Sequence, residues 1–174
     1  MLIRREKPQD ADAISAIITA AFRRASDALE PPETELVRRL RADDCWLPPL
    51  SLVAAADDTL IGHVVCTRGY VDDRPALGLG PIGVLPDHQH AGIGHALMHS
   101  VLGAADATDE PLVCVLGDPA FYQRFGFRVA SEVGILAPDP GWASDFQARI
   151  LSSCPPGLTG TFRYASPFAE LDLG

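Results

Sequence analysis

The residues best equipped for chemistry form one short run, Gln89-His90-Ala91-Gly92-Ile93-Gly94. An apolar stretch ends just before it at Val84-Leu85-Pro86, and Ile93, Leu97, Val101 and Ala104 then recur at helical spacing. A glycine-rich turn that opens a helix aims several free N–H groups at one point, and the helix dipole adds partial positive charge there. Glycines at 92 and 94 leave no Cβ between a bulky anion and the backbone. The chemistry this pattern predicts is the binding of a phosphate or pyrophosphate group.

Two overlapping patterns carry less. Gly78-x-Gly80-x-x-Gly83 fits the dinucleotide fingerprint letter for letter. That fingerprint needs a helix directly after its glycines and an acidic residue about twenty positions on. Val84-Leu85-Pro86 follows instead, and His99 to Gly103 holds no carboxylate. These glycines are therefore expected inside a strand, at a bulge or where a ligand approaches the backbone. His88, His90, His95 and His99 form a histidine group. A pair four apart on a helix can ligate a metal, but His95 and His99 fall opposite Leu97, and no Cys or carboxylate shares their spacing. No metal is expected.

The elements that must position the turn can be read around it. Leu2 to Arg5 reads as a first strand, and Ile14, Ile17, Ile18, Ala21 and Phe22 form the apolar face of a helix begun near Pro8. A second helix after Pro31-Pro32 carries Glu33 and Glu35 in its first turn and Leu36, Val37 and Leu40 as its stripe, with Glu35 able to pair with Arg39. Asp43 to Leu50 reads as a loop. Ser51 to Ala56 and Thr59 to Thr67 read as a hairpin closed by Asp57-Asp58, and Gly69 to Pro75 as a further turn into the central strand. After the helix, Pro111 to Gly117 is a continuous apolar run, as in a strand buried on both faces and joined to the central strand by a helical crossover. Asp118 and Pro119 suit the N-cap and first position of a short helix bearing Phe121, Tyr122 and Phe125, and Gly126 is placed to end it. Phe127 to Leu136, Phe146 to Leu151 and Thr159 to Tyr164 complete the expected strands.

Composition bounds the remaining choices. The chain has 174 residues, 47% hydrophobic and 21% charged, which suits one globular domain over residues 1–174. A net charge of −9 argues against non-specific nucleic-acid binding and favours cationic partners. Cys45, Cys66, Cys114 and Cys154 are irregularly scattered and the N-terminus has no signal-peptide pattern, so reduced thiols in a cytoplasm are expected. No apolar run approaches the length needed to span a membrane. A homodimer is among the assemblies open to such a domain.

Strand, Gln-x-x-Gly-x-Gly, helix, buried strand, then Phe121-Tyr122-Gln123-Arg124-Phe125-Gly126-Phe127 is an order that resembles the GCN5-related N-acetyltransferases. The match covers roughly Leu77 to Arg128, and Phe-Tyr-x-x-Phe-Gly-Phe after Leu116-Gly117-Asp118-Pro119 is similar to a bacterial branch of predicted acetyltransferases. The resemblance implies an α/β fold with a mixed, mostly antiparallel central sheet, helices on both faces, and a splay at the central parallel strands. It implies acetyl-coenzyme A as cosubstrate and a primary amine of a small molecule or peptide as acceptor, attacking the thioester directly. Gln89, His90, Ala91, Gly92, Ile93 and Gly94 would hold the pyrophosphate, and the backbone of Ile82, Gly83 and Val84 would pair with the pantetheine arm like an added strand. Tyr122 matches the family's general-acid tyrosine, although by pattern alone it also reads as a core aromatic between Phe121 and Phe125.

Two departures from the family stand out. His90 and Ala91 occupy places where a permanent cation is usual, and Leu77 to Leu85 lacks the carboxylate that many members use as a base. His63 is the nearest replacement by element position, though its strand neighbours Ile61 and Val65 equally suit a core histidine. A non-catalytic acyl-coenzyme A binding or sensing domain is the alternative function. A nucleotide-dependent oxidoreductase rests only on the Gly78, Gly80 and Gly83 pattern.

Overall fold

The computed structural model describes residues 1–23 and 30–169. In chain order the elements are β1 (Leu2–Arg5), α1 (Ala11–Phe22), α2 (Pro32–Ala42), β2 (Trp46–Ala56), β3 (Thr59–Val71), β4 (Arg74–Val84), α3 (Ile93–Ala107), β5 (Leu112–Leu116), α4 (Pro119–Tyr122), β6 (Arg128–Val129), β7 (Ile135–Leu136), β8 (Phe146–Ile150), β9 (Gly160–Arg163) and α5 (Ser166–Ala169). The main sheet runs β1-β2-β3-β4-β5-β8-β6, while β9 pairs with β3 and β7. Its pairings are antiparallel except β4 with β5, and β7 lies parallel to β9 at the periphery.

Helices cover both faces of this sheet. Ile93, Leu97, Met98, Val101, Leu102 and Ala105 of α3 bury against Leu52, Val64, Leu79 and Val113. The stripe continues through Ala105 rather than Ala104, which is only half-buried. On the other face, Ile14, Ile18 and Val37 of α1 and α2 pack on Val53. Each fully buried side chain of this size contributes about 1.5–3 kcal/mol, so both layers are firmly held. The β2–β3 hairpin is closed by Asp57 (φ 48°) and Asp58 (φ 66°), the two left-handed residues that match a hairpin's twist.

Three expected spans were drawn differently. The loop expected over Asp43 to Leu50 is mostly strand: β2 begins at Trp46, opposite Thr67, and the next paired residue is Ser51, opposite Val65. Between these pairs four residues of β2, Leu47 to Leu50, stand against Cys66 alone on β3, because Pro48 and Pro49 have no N–H for the ladder. The turn expected over Gly69 to Pro75 shrinks to Asp72-Asp73, since Gly69 lets the Phe162 ring lie on β3 and the strand runs on to Val71. The strand expected over Phe127 to Leu136 breaks into β6 and β7 around a 3₁₀ turn at Ala130–Val133, ended by Gly134 in the left-handed region (φ 82°).

Candidate functional site

The central strand carries the site because of its glycines. A Cβ at Gly83 would lie 2.9 Å from Ile18 Cδ1, and one at Gly80 would lie 2.8 Å from Val65 Cγ1. At Gly78 it would strike the Tyr164 ring at 2.8 Å. The fingerprint-like glycines therefore let helix α1 and aromatic rings settle onto β4. They also accompany a bulge: Val64 faces Ile82 and Cys66 faces Leu79, so β4 gains one residue at Gly80-Pro81.

The parallel partner β5 meets β4 only at Leu77 with Val113 and Gly78 with Cys114. Beyond that point the two strands diverge. The slot between them is a cavity of about 180 Å³, lined by Leu79, Gly80, Pro81 and Ile82 of β4 and Val115 and Leu116 of β5. Phe22, Glu33 and Leu36 close it from the α1–α2 side, and Tyr122, Tyr164 and Phe168 complete the wall.

The glycine-rich turn sits beyond the end of β4. Gly92 (φ 82°) caps α3 with no side-chain hydrogen bond, and the first helical bond is Ala96 N–H to the Gly92 carbonyl. The N–H groups of Ile93, Gly94 and His95 thus have no partner in the helix. A Cβ at Gly92 would meet nothing within 4 Å, and one at Gly94 would touch only Val84 Cγ2 at 3.9 Å. The protein's own packing does not require glycine at 94. Gln89 donates from Nε2 to the Val84 carbonyl at 3.1 Å, which clasps the turn to the strand end. His90 is exposed and holds φ 60°, a conformation that glycine adopts without cost.

Tyr122 lies at the opposite wall of the slot. Asp118 caps its helix, accepting from Ala120 N–H at 2.8 Å, and Gly126 (φ 81°) ends the turn that follows. Its ring stands edge-on to Phe121 and Phe127, with centroids 5.0 and 5.7 Å away. Gly117 leaves room for it, since a Cβ there would lie 2.5 Å from Tyr122 Cε2. Among the described residues nothing hydrogen-bonds the hydroxyl. Burial, helped by Cys66 and Asp118, pushes the phenol up to about 12, so it stays protonated and keeps a proton to donate.

His63 lies elsewhere. It is fully buried, opposite Gly83 and Val53, and does not line the slot. Its Nε2 is 3.0 Å from Ser51 Oγ, and Ser51 donates to Glu6 Oε2 at 2.5 Å. Arg41 Nε donates to Glu6 Oε1 at 2.6 Å. Burial pushes the imidazole down by more than Glu6 raises it, so the ring is held neutral inside a structural network. His95 and His99 are exposed on α3, and both stack against Phe125, with centroids 5.2 and 5.3 Å away. Among the described residues no group of three or more His, Cys, Asp or Glu side chains is placed to hold a metal.

A family model described as an acetyltransferase (GNAT) domain matches residues 46–129. Over 172 residues the chain is 34% identical to the uncharacterized N-acetyltransferase YhbS of Escherichia coli (strain K12), covering 97% of this chain and 98% of that protein. The chain belongs to the GNAT acetyltransferase family. A crystal structure of YhbS from Escherichia coli, in complex with CoA, superposes with a TM-score of 0.88 at 31% identity over 98% of this chain and 92% of that one. A GNAT family acetyltransferase from Brucella melitensis, in complex with acetyl-CoA, gives 0.78 at 31% identity over 96% and 97%. The mostly antiparallel sheet opened at one parallel pair is thus this GNAT protein's fold, as the sequence led us to expect.

Sequence reasoning pointed to the segment Glu30 to Glu35 for the acceptor without singling out Glu33, and it missed Phe22, Tyr164 and Phe168 as walls of the GNAT slot. Tyr164 was legible only as the end of a strand, and no local pattern says that its ring reaches back to Gly78.

Proposed function

We propose that this GNAT protein is an acetyl-coenzyme A-dependent N-acetyltransferase acting on a primary amine of a small molecule or peptide. One observation carries the reading: a single slot through the sheet has an uncapped, glycine-opened helix start beyond one strand end and a protonated tyrosine in its wall. The chain's own features fit coenzyme A. The unpartnered N–H groups at Ile93, Gly94 and His95 suit the pyrophosphate, with Gly92 and Gly94 leaving it access. The β5-facing edge of β4 beyond Gly78, through Ile82, Gly83 and Val84, is unpaired and can take an extended pantetheine arm as an added strand. A backbone N–H on that edge would stabilise the oxyanion of the tetrahedral species.

The thioester supplies the acyl carbon: the amine lone pair forms the C–N bond, the C–S bond breaks, and the sulfur leaves as thiolate. Tyr122 donates a proton to that sulfur and recovers one from the amine nitrogen through solvent. A phenol at about 12 is a weak acid for a thiolate whose ordinary pKa is about 8.5. The slot narrows that gap, because burial raises a thiol too. Cys66, buried near enough to bear on Tyr122, is pushed up in the same way. Tyr122 and the departing sulfur are thus shifted in one direction by one environment.

Buried, unpaired thiols at Cys45, Cys66 and Cys114 support a reducing cytoplasmic setting. Among the described residues no helix is long and apolar enough to cross a membrane. The absence of a carboxylate from Leu77 to Leu85 favours the second reading, an acyl-coenzyme A sensor without turnover. Thiol release from acetyl-coenzyme A across a panel of amines separates the two. Release that depends on an amine establishes the transferase, while coenzyme A binding without turnover on any amine establishes the sensor.

A further inference from the structure

Among the described residues, one charged residue lines the slot. Glu33 stands in the first turn of α2, half-buried, and lines the same cavity as Tyr122. Its neighbours on that helix are engaged: Glu35 accepts from Arg39 at 2.9 Å, and Glu30, just before the helix, accepts from Arg38 at 2.7 Å. Among the described residues Glu33 has no hydrogen bond and no ion pair. The rest of the lining is apolar or aromatic, namely Phe22, Leu36, Leu116, Phe168 and the rings of Tyr122 and Tyr164.

We infer that Glu33 holds the ammonium of the acceptor, which releases one proton to solvent before its lone pair attacks the thioester, and that the acceptor is a monocationic primary amine on an apolar body. This rests on the transferase reading above. A carboxylate that lines an apolar cavity without a cationic partner is open to pair with an incoming ammonium. The faces of Phe22, Tyr164 and Phe168 add attraction for a cation and accept a hydrocarbon body. Competing acceptor classes fit badly. An amine carrying its own carboxylate meets Glu33 as a like charge. A polyhydroxylated amine finds, among the described residues, two tyrosine hydroxyls as polar side-chain partners besides Glu33.

Glu33 lies on the α1–α2 side of the slot, whereas the coenzyme is assigned to the β4 edge and the glycine-rich turn, so measuring acceptor KM and coenzyme affinity separately distinguishes the two. The probes are 2-phenylethylamine, glutamate and glucosamine at saturating acetyl-coenzyme A, with wild type, Glu33→Gln and Glu33→Asp. Wild type is expected to prefer 2-phenylethylamine. Glu33→Gln should raise its KM about fivefold, the upper scale for losing a partly screened ion pair, and Glu33→Asp should recover part of that loss. Coenzyme A affinity by calorimetry and the thermal midpoint should stay at wild-type values in both variants. An unchanged KM in Glu33→Gln, or a preference for glutamate or glucosamine, overturns the assignment while leaving the transferase intact. Coenzyme A binding with no transfer to any amine by wild type overturns the transferase reading and this one with it.

Discussion

Gly117 offers a way to move the Tyr122 hydroxyl without removing it. A Cβ built at Gly117 lies 2.5 Å from Tyr122 Cε2, and ordinary contact begins at 3.4 Å. Gly117→Ala must therefore displace the ring by about 0.9 Å, or the end of β5 by the same amount. A misplacement of about 1 Å in a catalytic group can cost on the order of 10²-fold in rate. Removing the hydroxyl altogether, in Tyr122→Phe, should also cost about 10²-fold or more. If both act through one hydroxyl, the double variant should be no slower than Tyr122→Phe, a strongly non-additive cycle. The assay is steady-state thiol release at saturating acetyl-coenzyme A and amine, with coenzyme A affinity measured separately by calorimetry. The pH profile adds a check: because Tyr122 is pushed up to about 12, kcat should show no loss from phenol ionisation between pH 7 and 10. Near-wild-type kcat in Gly117→Ala would refute the reasoning, as would losses that multiply in the double variant.

Three further outcomes follow from features away from Tyr122. Gly94→Val should lower coenzyme A affinity at least tenfold with an unchanged thermal midpoint, because its side chain would meet only Val84 in the protein and otherwise the space left for phosphate; equal affinity would end the pyrophosphate assignment. His90→Gly should stabilise the fold by about 1 kcal/mol by relieving the φ of 60°, with coenzyme A affinity kept, while a fall in affinity would show that the imidazole itself contacts the coenzyme. The Glu6–Ser51–His63–Arg41 network should make the fold acid-sensitive. Burial pushes the Glu6 carboxyl up, but hydrogen bonds from His63, Arg41 and Ser51 outweigh it and hold it at about 2, and burial holds His63 below 6.5. The unfolded chain binds both protons more readily, so stability is lost as pH falls, first below about 6.5 through His63 and then below about 4.5 through Glu6. Urea midpoints measured from pH 8 to pH 3 should flatten across the upper window in His63→Asn. An unchanged pH profile in that variant would remove His63 from the network's titration.

What was legible in the sequence was what local chemistry decides. Pro86 stops an apolar run, Gly92 opens a helix, Asp118 caps one and Gly126 ends its turn, and each of these is where the chain order put it. The bulge at Gly80-Pro81 was readable for the same reason, since a Gly-Pro pair cannot sit in an unbroken ladder. Illegibility began where a role depends on residues far apart in the chain. Ser51, His63 and Glu6 lie 12 and 45 residues apart in their hydrogen bonds, and nothing near His63 announces that it faces a carboxylate rather than a substrate. The prolines at 48 and 49 gave the opposite error. They argued locally for a loop, while pairing at Trp46 and again at Ser51 keeps the segment in the sheet.

The two register pairs between β4 and β5 have a mechanical meaning. On one side of that seam lie β1 to β4, on the other β5, β8 and β6, and direct strand-to-strand bonding across it is confined to Leu77 with Val113 and Gly78 with Cys114. The protein is in this sense an unfinished sheet, missing one strand's worth of hydrogen bonding along its middle. Whatever extended molecule lies in the gap becomes part of the architecture, and its binding energy is added to the stability of the folded chain by mass action, about 2.7 kcal/mol at a hundred times its dissociation constant. Amide exchange along β4 beyond Gly78 is then the readout: if its unpaired backbone groups take the ligand, protection there should rise with added coenzyme A, and unchanged protection would refute that pairing.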